Sequence, residues 1–198
     1  MRNDHHPMIA ALALAPALLL GPVANADPGE GRAARSQTVF LGMSVGAGLA
    51  RIGQAGLSIE PRGGVEYDAV FGFGLTRRWA AGVELATWQP LNLDGNPSHV
   101  HLFALRVEYT FGPEDGLVMG TSLGMGVGDG SQTKRLGEGG GLQLGYRWPV
   151  GRGVTLAAEA GVHGVLYADG SAVIPFAALQ LRFYGRSALW DRPSPRGP

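Results

Sequence analysis

Residues 117–128 read Leu-Val-Met-Gly-Thr-Ser-Leu-Gly-Met-Gly-Val-Gly. Leu117, Met119, Thr121, Leu123, Met125 and Val127 share one parity, and Val118, Gly120, Ser122, Gly124, Gly126 and Gly128 share the other. In an extended chain successive side chains point to opposite faces, so this segment has one bulky apolar face and one almost bare face. Strict alternation over about ten residues is the pattern of a strand that meets lipid on one side and the bore of a barrel on the other.

Seven other segments repeat the alternation. Their apolar faces run at alternate positions from Val39 to Leu49, Val65 to Leu75, Trp79 to Thr87, Phe103 to Phe111, Leu142 to Val150, Val154 to Val162 and Val173 to Phe183. None of these faces carries a charge, and eight is an even number, as bacterial single-chain barrels have. The chain contains 33 glycines in 198 residues, which disfavours long helices. The fold class expected is therefore all-β: an eight-stranded antiparallel up-and-down transmembrane β-barrel with short periplasmic turns and longer extracellular loops.

The connections divide by length. Thr76-Arg77-Arg78, 112–116 and 151–153 are tight, whereas 50–63, 89–98, 129–140 and 166–171 are longer. With both termini in the periplasm, every short link falls on the periplasmic side.

Arg2 precedes an apolar run from Met8 to Ala24, followed by Ala24-Asn25-Ala26. Pro16 and Pro22 interrupt that run, and it is short for a helix crossing ~30 Å of hydrocarbon, so residues 1–26 read as a cleaved secretory signal peptide. The expected organisation is a periplasmic linker at 27–35, the barrel at 36–184 and a flexible Pro- and Arg-rich tail at 185–198. The absence of cysteine leaves no disulfide and no lipoprotein acylation site. The 16 basic and 16 acidic residues balance, so no bulk charge steers the chain to nucleic acid. Lys134 is its only lysine, unlike the solvent face of a soluble sheet protein.

Aromatic rings with a polar edge prefer the membrane interface. Phe73, Trp79, Tyr109, Phe111, Trp148 and Phe183 lie outward at the periplasmic strand ends and are expected to form a girdle. Tyr67, Phe103 and Trp88 would make a thinner outer one.

The inward face carries Glu66, Asp68, Glu84, Arg106, Glu108, Gln143, Arg147, Glu159, His163, Gln180 and Arg182 among Gly, Ala and Ser. An eight-stranded barrel leaves room only for side chains, so charges taken out of water there must pair. Heights counted from the turns put Glu84 beside Arg106, and Glu159 between Arg147 and Arg182. These are expected ion pairs that plug the lumen, with glycines supplying the space for the long side chains.

Other chemistry finds less support. His99 and His101 share a strand face, but metal binding needs more ligands, and no metal or cofactor is assigned. His163 with Glu159 resembles a base with its orienting carboxylate, and Ser44 or Ser122 would be the nucleophile. Lumenal hydroxyls face away from lipid, so no catalytic residue is assigned, although lipid acyl hydrolysis or transfer stays open. Gly124 to Gly130 is not followed by a helix and therefore is not a phosphate-binding loop.

In its alternating strands, short inner turns, girdle and Glu/Arg interior, the segment 36–184 resembles the small eight-stranded outer-membrane proteins A, W and X. The resemblance implies insertion by the barrel-assembly machinery, which recognises a last strand ending in an aromatic, here Phe183-Tyr184. Ala178 departs from the glycine usual in that ending, as does the tail that follows it. Expected partners are outer-membrane lipids, the assembly machinery and an unidentified extracellular ligand at the loops. Loop 129–140, with Asp129, Lys134, Arg135 and Glu138, shows only a mixed-sign surface. The function expected is a structural barrel that presents surface loops. Two alternatives stay open: a narrow channel for ions or small solutes, and a secreted lipocalin-type barrel with the apolar face turned inward around a lipid.

Overall fold

The alternation seen in the sequence becomes nine strands: β1 (Thr38–Gln54), β2 (Leu57–Ser58), β3 (Arg62–Gly74), β4 (Trp79–Pro90), β5 (His99–Thr110), β6 (Leu117–Asp129), β7 (Lys134–Gly151), β8 (Val154–Tyr167) and β9 (Gly170–Arg186). The computed structural model describes residues 38–54, 57–58, 61–76, 78–91, 99–111, 116–129 and 134–186. The expected signal peptide, the linker 27–35 and residues 187–198 of the expected tail lie outside these, while the first two tail residues, Gly185 and Arg186, belong to β9 and pair with β1.

Strands β3 to β9 each pair antiparallel with the next, β1 pairs with β3, and β9 pairs back to β1. The two-residue β2 folds back on the end of β1, leaving eight long strands that close into a barrel. Closure satisfies the backbone groups that an open sheet edge would leave unpaired, the condition for spanning hydrocarbon with strands. Pro175 sits in β9 opposite Val162 and has no N–H to donate. The β1–β9 register skips from Gly48↔Phe176 to Arg51↔Val173 around it.

Parity decides which side chains meet the bore. Leu123 is 76% exposed on the outer wall, while its neighbour Ser122 is buried. The outward positions of the other long strands follow suit, with Leu105, Leu142, Leu144, Leu179 and Met125 at least half exposed. A lipocalin-type arrangement, with this bulky face inside, is thereby overturned.

The strands run further toward the loop end than their sequence suggested. Lys134, Arg135 and Glu138 belong to β7, not to a loop, because the ladder continues from Gly126↔Gly137 to Asp129↔Lys134. The connection expected at 166–171 narrows to a turn at 168–169. Backbone pairing is indifferent to whether a side chain is charged, so glycines and charges that suggested a loop sit in a ladder.

Candidate functional site in the lumen

Because every lumenal position has the same parity along its strand, the buried polar groups of β3 to β9 converge on one bore. Arg106 on β5 stands at its centre, fully buried. Its Nη1 donates to Glu84 Oε1 at 2.9 Å and to Asp68 Oδ2 at 3.2 Å. Its Nη2 lies 2.7 Å from Glu108 Oε1 and 3.5 Å from Glu159 Oε1. With its amide oxygen turned toward this guanidinium, Gln143 accepts from Nε at 2.6 Å. Arg106 is thus the shared partner of four carboxylates from four strands.

Toward the turn end, Arg182 makes a two-pronged contact with Glu108, Nη1 to Oε2 at 2.6 Å and Nη2 to Oε1 at 2.7 Å. This parallel fork is the strongest form of such a pair. The Arg182 guanidinium also lies 4.3 Å from the centre of the Phe40 ring. Arg147 Nη2 donates to Glu108 Oε2 at 3.3 Å, so three guanidiniums meet on a single carboxylate. Toward the loop end, His163 Nδ1 lies 2.6 Å from Glu66 Oε1 and Nε2 lies 3.9 Å from Glu84 Oε1. The His163 ring stacks on Phe176 at 4.7 Å between centroids.

All eleven lumenal residues expected from the sequence are buried and face the bore, and Glu84 and Arg106 pair as counted. The expected Arg147–Glu159–Arg182 bridge does not form. Glu159 stands opposite Ala178, and Gln180 separates it from Arg182. The Gln180 amide fills that gap, donating through Nε2 to Glu159 Oε2 at 3.3 Å and accepting through Oε1 from Arg182 Nε at 3.0 Å. Both arginines reach across the bore to Glu108 instead. The pairing of His163 with Glu159 is corrected likewise, since its carboxylate partner is Glu66 on β3.

Glycines make room for this network. A Cβ at Gly120 would fall against the Gln143 amide, one at Gly141 against the His163 ring, and one at Gly145 against Glu159. Glycine here replaces volume, not stiffness.

Beside the Glu66–His163 pair, the loop-end half of the bore is filled mostly by apolar side chains, a feature that reading only the charges missed. Ala50, Trp88, Val100, Val165, Tyr167, Ala172 and Ile174 form one buried cluster, and Ala86, Leu102 and Ala104 form another. Trp88 is therefore no member of an outer girdle: it is 1% exposed and donates through Nε1 to Gly48 O at 3.3 Å. The parity of β4, with Leu85 and Thr87 outward, already turned it inward; the preference of Trp for interfaces pointed the other way.

On the outer wall at the turn end, Trp79 meets Tyr109 at 4.8 Å between centroids and Tyr109 meets Phe111 at 4.9 Å. Trp148 meets Tyr146, not foreseen in this belt, at 5.0 Å. Arg78 Nη1 donates to Tyr109 OH at 3.2 Å. Phe73 is exposed beside the same end, with Phe183 opposite Leu41.

His99 and His101 stack at 6.2 Å on the outer wall, and His101 Nδ1 lies 3.1 Å from Thr87 Oγ1. Among the described residues no three or more His, Cys, Asp or Glu side chains are grouped to hold a metal.

No family model matches the chain, and no curated protein matches it either. Among solved structures it is similar to Neisserial surface protein A, with a TM-score of 0.60 at 12% identity over 72% of this chain and 96% of that one. It is also similar to Ail, the attachment invasion locus protein of Yersinia pestis, solved with the heparin analogue sucrose octasulfate, with a TM-score of 0.51 at 12% identity over 73% of this chain and 99% of that one. The architecture is that of the small eight-stranded outer-membrane barrels.

Proposed function

We propose that this chain is an integral outer-membrane barrel whose lumen is sealed and whose task is to hold surface loops on a rigid wall. The observation that carries the sealed lumen is its filling by two plugs in series: the ionic network around Arg106 at the turn end and the apolar cluster around Trp88 at the loop end. Charges buried in so narrow a bore stay only if paired, and side chains paired across it occupy the space that a water path would need.

The membrane setting is supported by the outer wall. Its exposed Leu, Met, Phe and Val side chains form a band that water would not tolerate at this extent, closed at the turn end by the aromatic belt. The turn end is assigned to the periplasm and the loop end to the exterior, where loops on a rigid scaffold are placed to bind. Neisserial surface protein A and Ail lend the fold, and any ligand of these loops is left to experiment.

Two measurements test this. The full chain, expressed with its amino-terminal segment, is expected to remain with outer membranes in high salt, to need detergent for extraction and to show heat-modifiable gel mobility. Recovery in the periplasmic wash would overturn the membrane assignment. In planar bilayers the unmodified protein is expected to be silent, as is Arg106→Ala alone, because the apolar plug remains; Arg106→Ala combined with Trp88→Ala is expected to conduct. Steady conductance from the unmodified protein would instead favour the narrow channel.

A further inference from the structure

At the turn end a cavity of about 40 Å³ opens between Phe40, Thr76, Arg78, Trp79, Arg147 and Arg182. A single water needs roughly 10–15 Å³ by this measure, so the space holds a group of several heavy atoms. Its charge is one-sided. Glu108 is the only acid in the lining among the described residues, and Arg147 and Arg182 both bond to it. Arg106 adds a third guanidinium to the same carboxylate from behind. At the rim Arg78 is exposed, spending one Nη on the Tyr109 hydroxyl.

A donor in this wall is also unused. Arg147 is 4% exposed, and its Nε has no hydrogen-bond partner among the described residues. Leaving a charged donor buried and unsatisfied is costly, which makes such an atom a marker for something that completes it. The planar guanidinium edge matches an oxygen pair on a phosphate or carboxylate better than it matches a single spherical ion.

We infer that this mouth is a binding site for a small oxyanion, inorganic phosphate or the phosphate of a lipid headgroup, held by Arg147 and Arg182 with Arg78 at the entrance. The site needs only the folded barrel and is independent of whether the lumen conducts.

The experiment uses the full chain folded in maltoside micelles, with inorganic phosphate titrated against chloride at constant ionic strength and read through the arginine Nε–Hε resonances. The resonances of Arg147 and Arg182 are expected to move along a saturable curve while those of the exposed Arg51 and Arg62 stay in place. Arg147→Gln is expected to weaken the phosphate dependence at Arg182 by roughly tenfold or more. Arg78→Gln, at an exposed turn position whose backbone bonds the change keeps, is expected to weaken it severalfold and serves if the Arg147 variant does not fold. Shifts that never saturate, that are equal at Arg51 and Arg62, or that are unchanged in Arg78→Gln would overturn the site. Phosphatidylglycerol added to the micelles separates the two sources: competition with phosphate identifies the headgroup, and no competition identifies the free anion.

Discussion

The two halves of the bore are filled by opposite means. Around Trp88, Val165, Tyr167 and Ile174 the loop-end half is packed largely as an apolar core, with one ion pair, Glu66–His163, beside it, while the rest of the bore holds Arg106, Arg147 and Arg182 among Glu84, Glu108 and Glu159. An apolar core tolerates loss of one group in proportion to the volume lost. An ionic core does not, because the partner left behind keeps its charge and loses its compensation.

This contrast is sharpest at Arg106. Replacing it by Met keeps much of the volume but leaves Glu84, Asp68, Glu108 and Glu159 without their shared partner. Arg106→Met is expected to cost about 3–5 kcal/mol in urea unfolding followed by tryptophan fluorescence. Its counterpart in the other half, Trp88→Phe, removes part of a ring and the bond to Gly48 O and is expected to cost about 1–2 kcal/mol. Equal costs would erase the distinction between the halves.

A second comparison concerns added volume. A Cβ at Gly126 would fall within 2.4 Å of both Val165 methyls, which the apolar cluster holds in place. Gly126→Ala is expected to destabilise by about 1–3 kcal/mol, and Val165→Ala in the same chain should recover part of that loss. Without such recovery, the apolar plug is not the rigid body described above.

What was legible in the sequence follows from the same physics. The period of two is a local property of an extended chain, so the faces of all eight long strands, the closure into an even-numbered barrel and the burial of Glu66, Asp68 and the other lumenal charges could be read directly. Which charge meets which could not. Long side chains in a narrow bore reach across it, so Arg182 finds Glu108 at a separation of 74 residues, four strands away in chain order, while Glu159 beside it is served by Gln180. Counting heights on neighbouring strands finds only contacts such as Glu84 with Arg106, whose positions are one diagonal step apart across the β4–β5 ladder. The apolar plug was overlooked for a different reason. Val100, Leu102, Val165 and Ile174 share the lumenal parity but carry no charge to mark them, and the preference of Trp for interfaces points Trp88 outward against the parity of its strand.

The smallest effect expected is the most discriminating for the role of glycine. At Gly42 a Cβ would meet the Gln180 amide at 3.3 Å and Arg182 Nε at 3.5 Å, ends of side chains that give way by a few tenths of an ångström. Alanine in place of glycine also restricts the unfolded chain, which favours the folded state. Gly42→Ala is therefore expected to change unfolding stability by no more than about 0.5 kcal/mol in either direction, against the much larger loss at Gly126. A loss at Gly42 as large as at Gly126 would mean that the ionic half is packed as rigidly as the apolar one. The bare face of the strands would then serve a tight lattice throughout, and the difference between the halves would lie in charge alone.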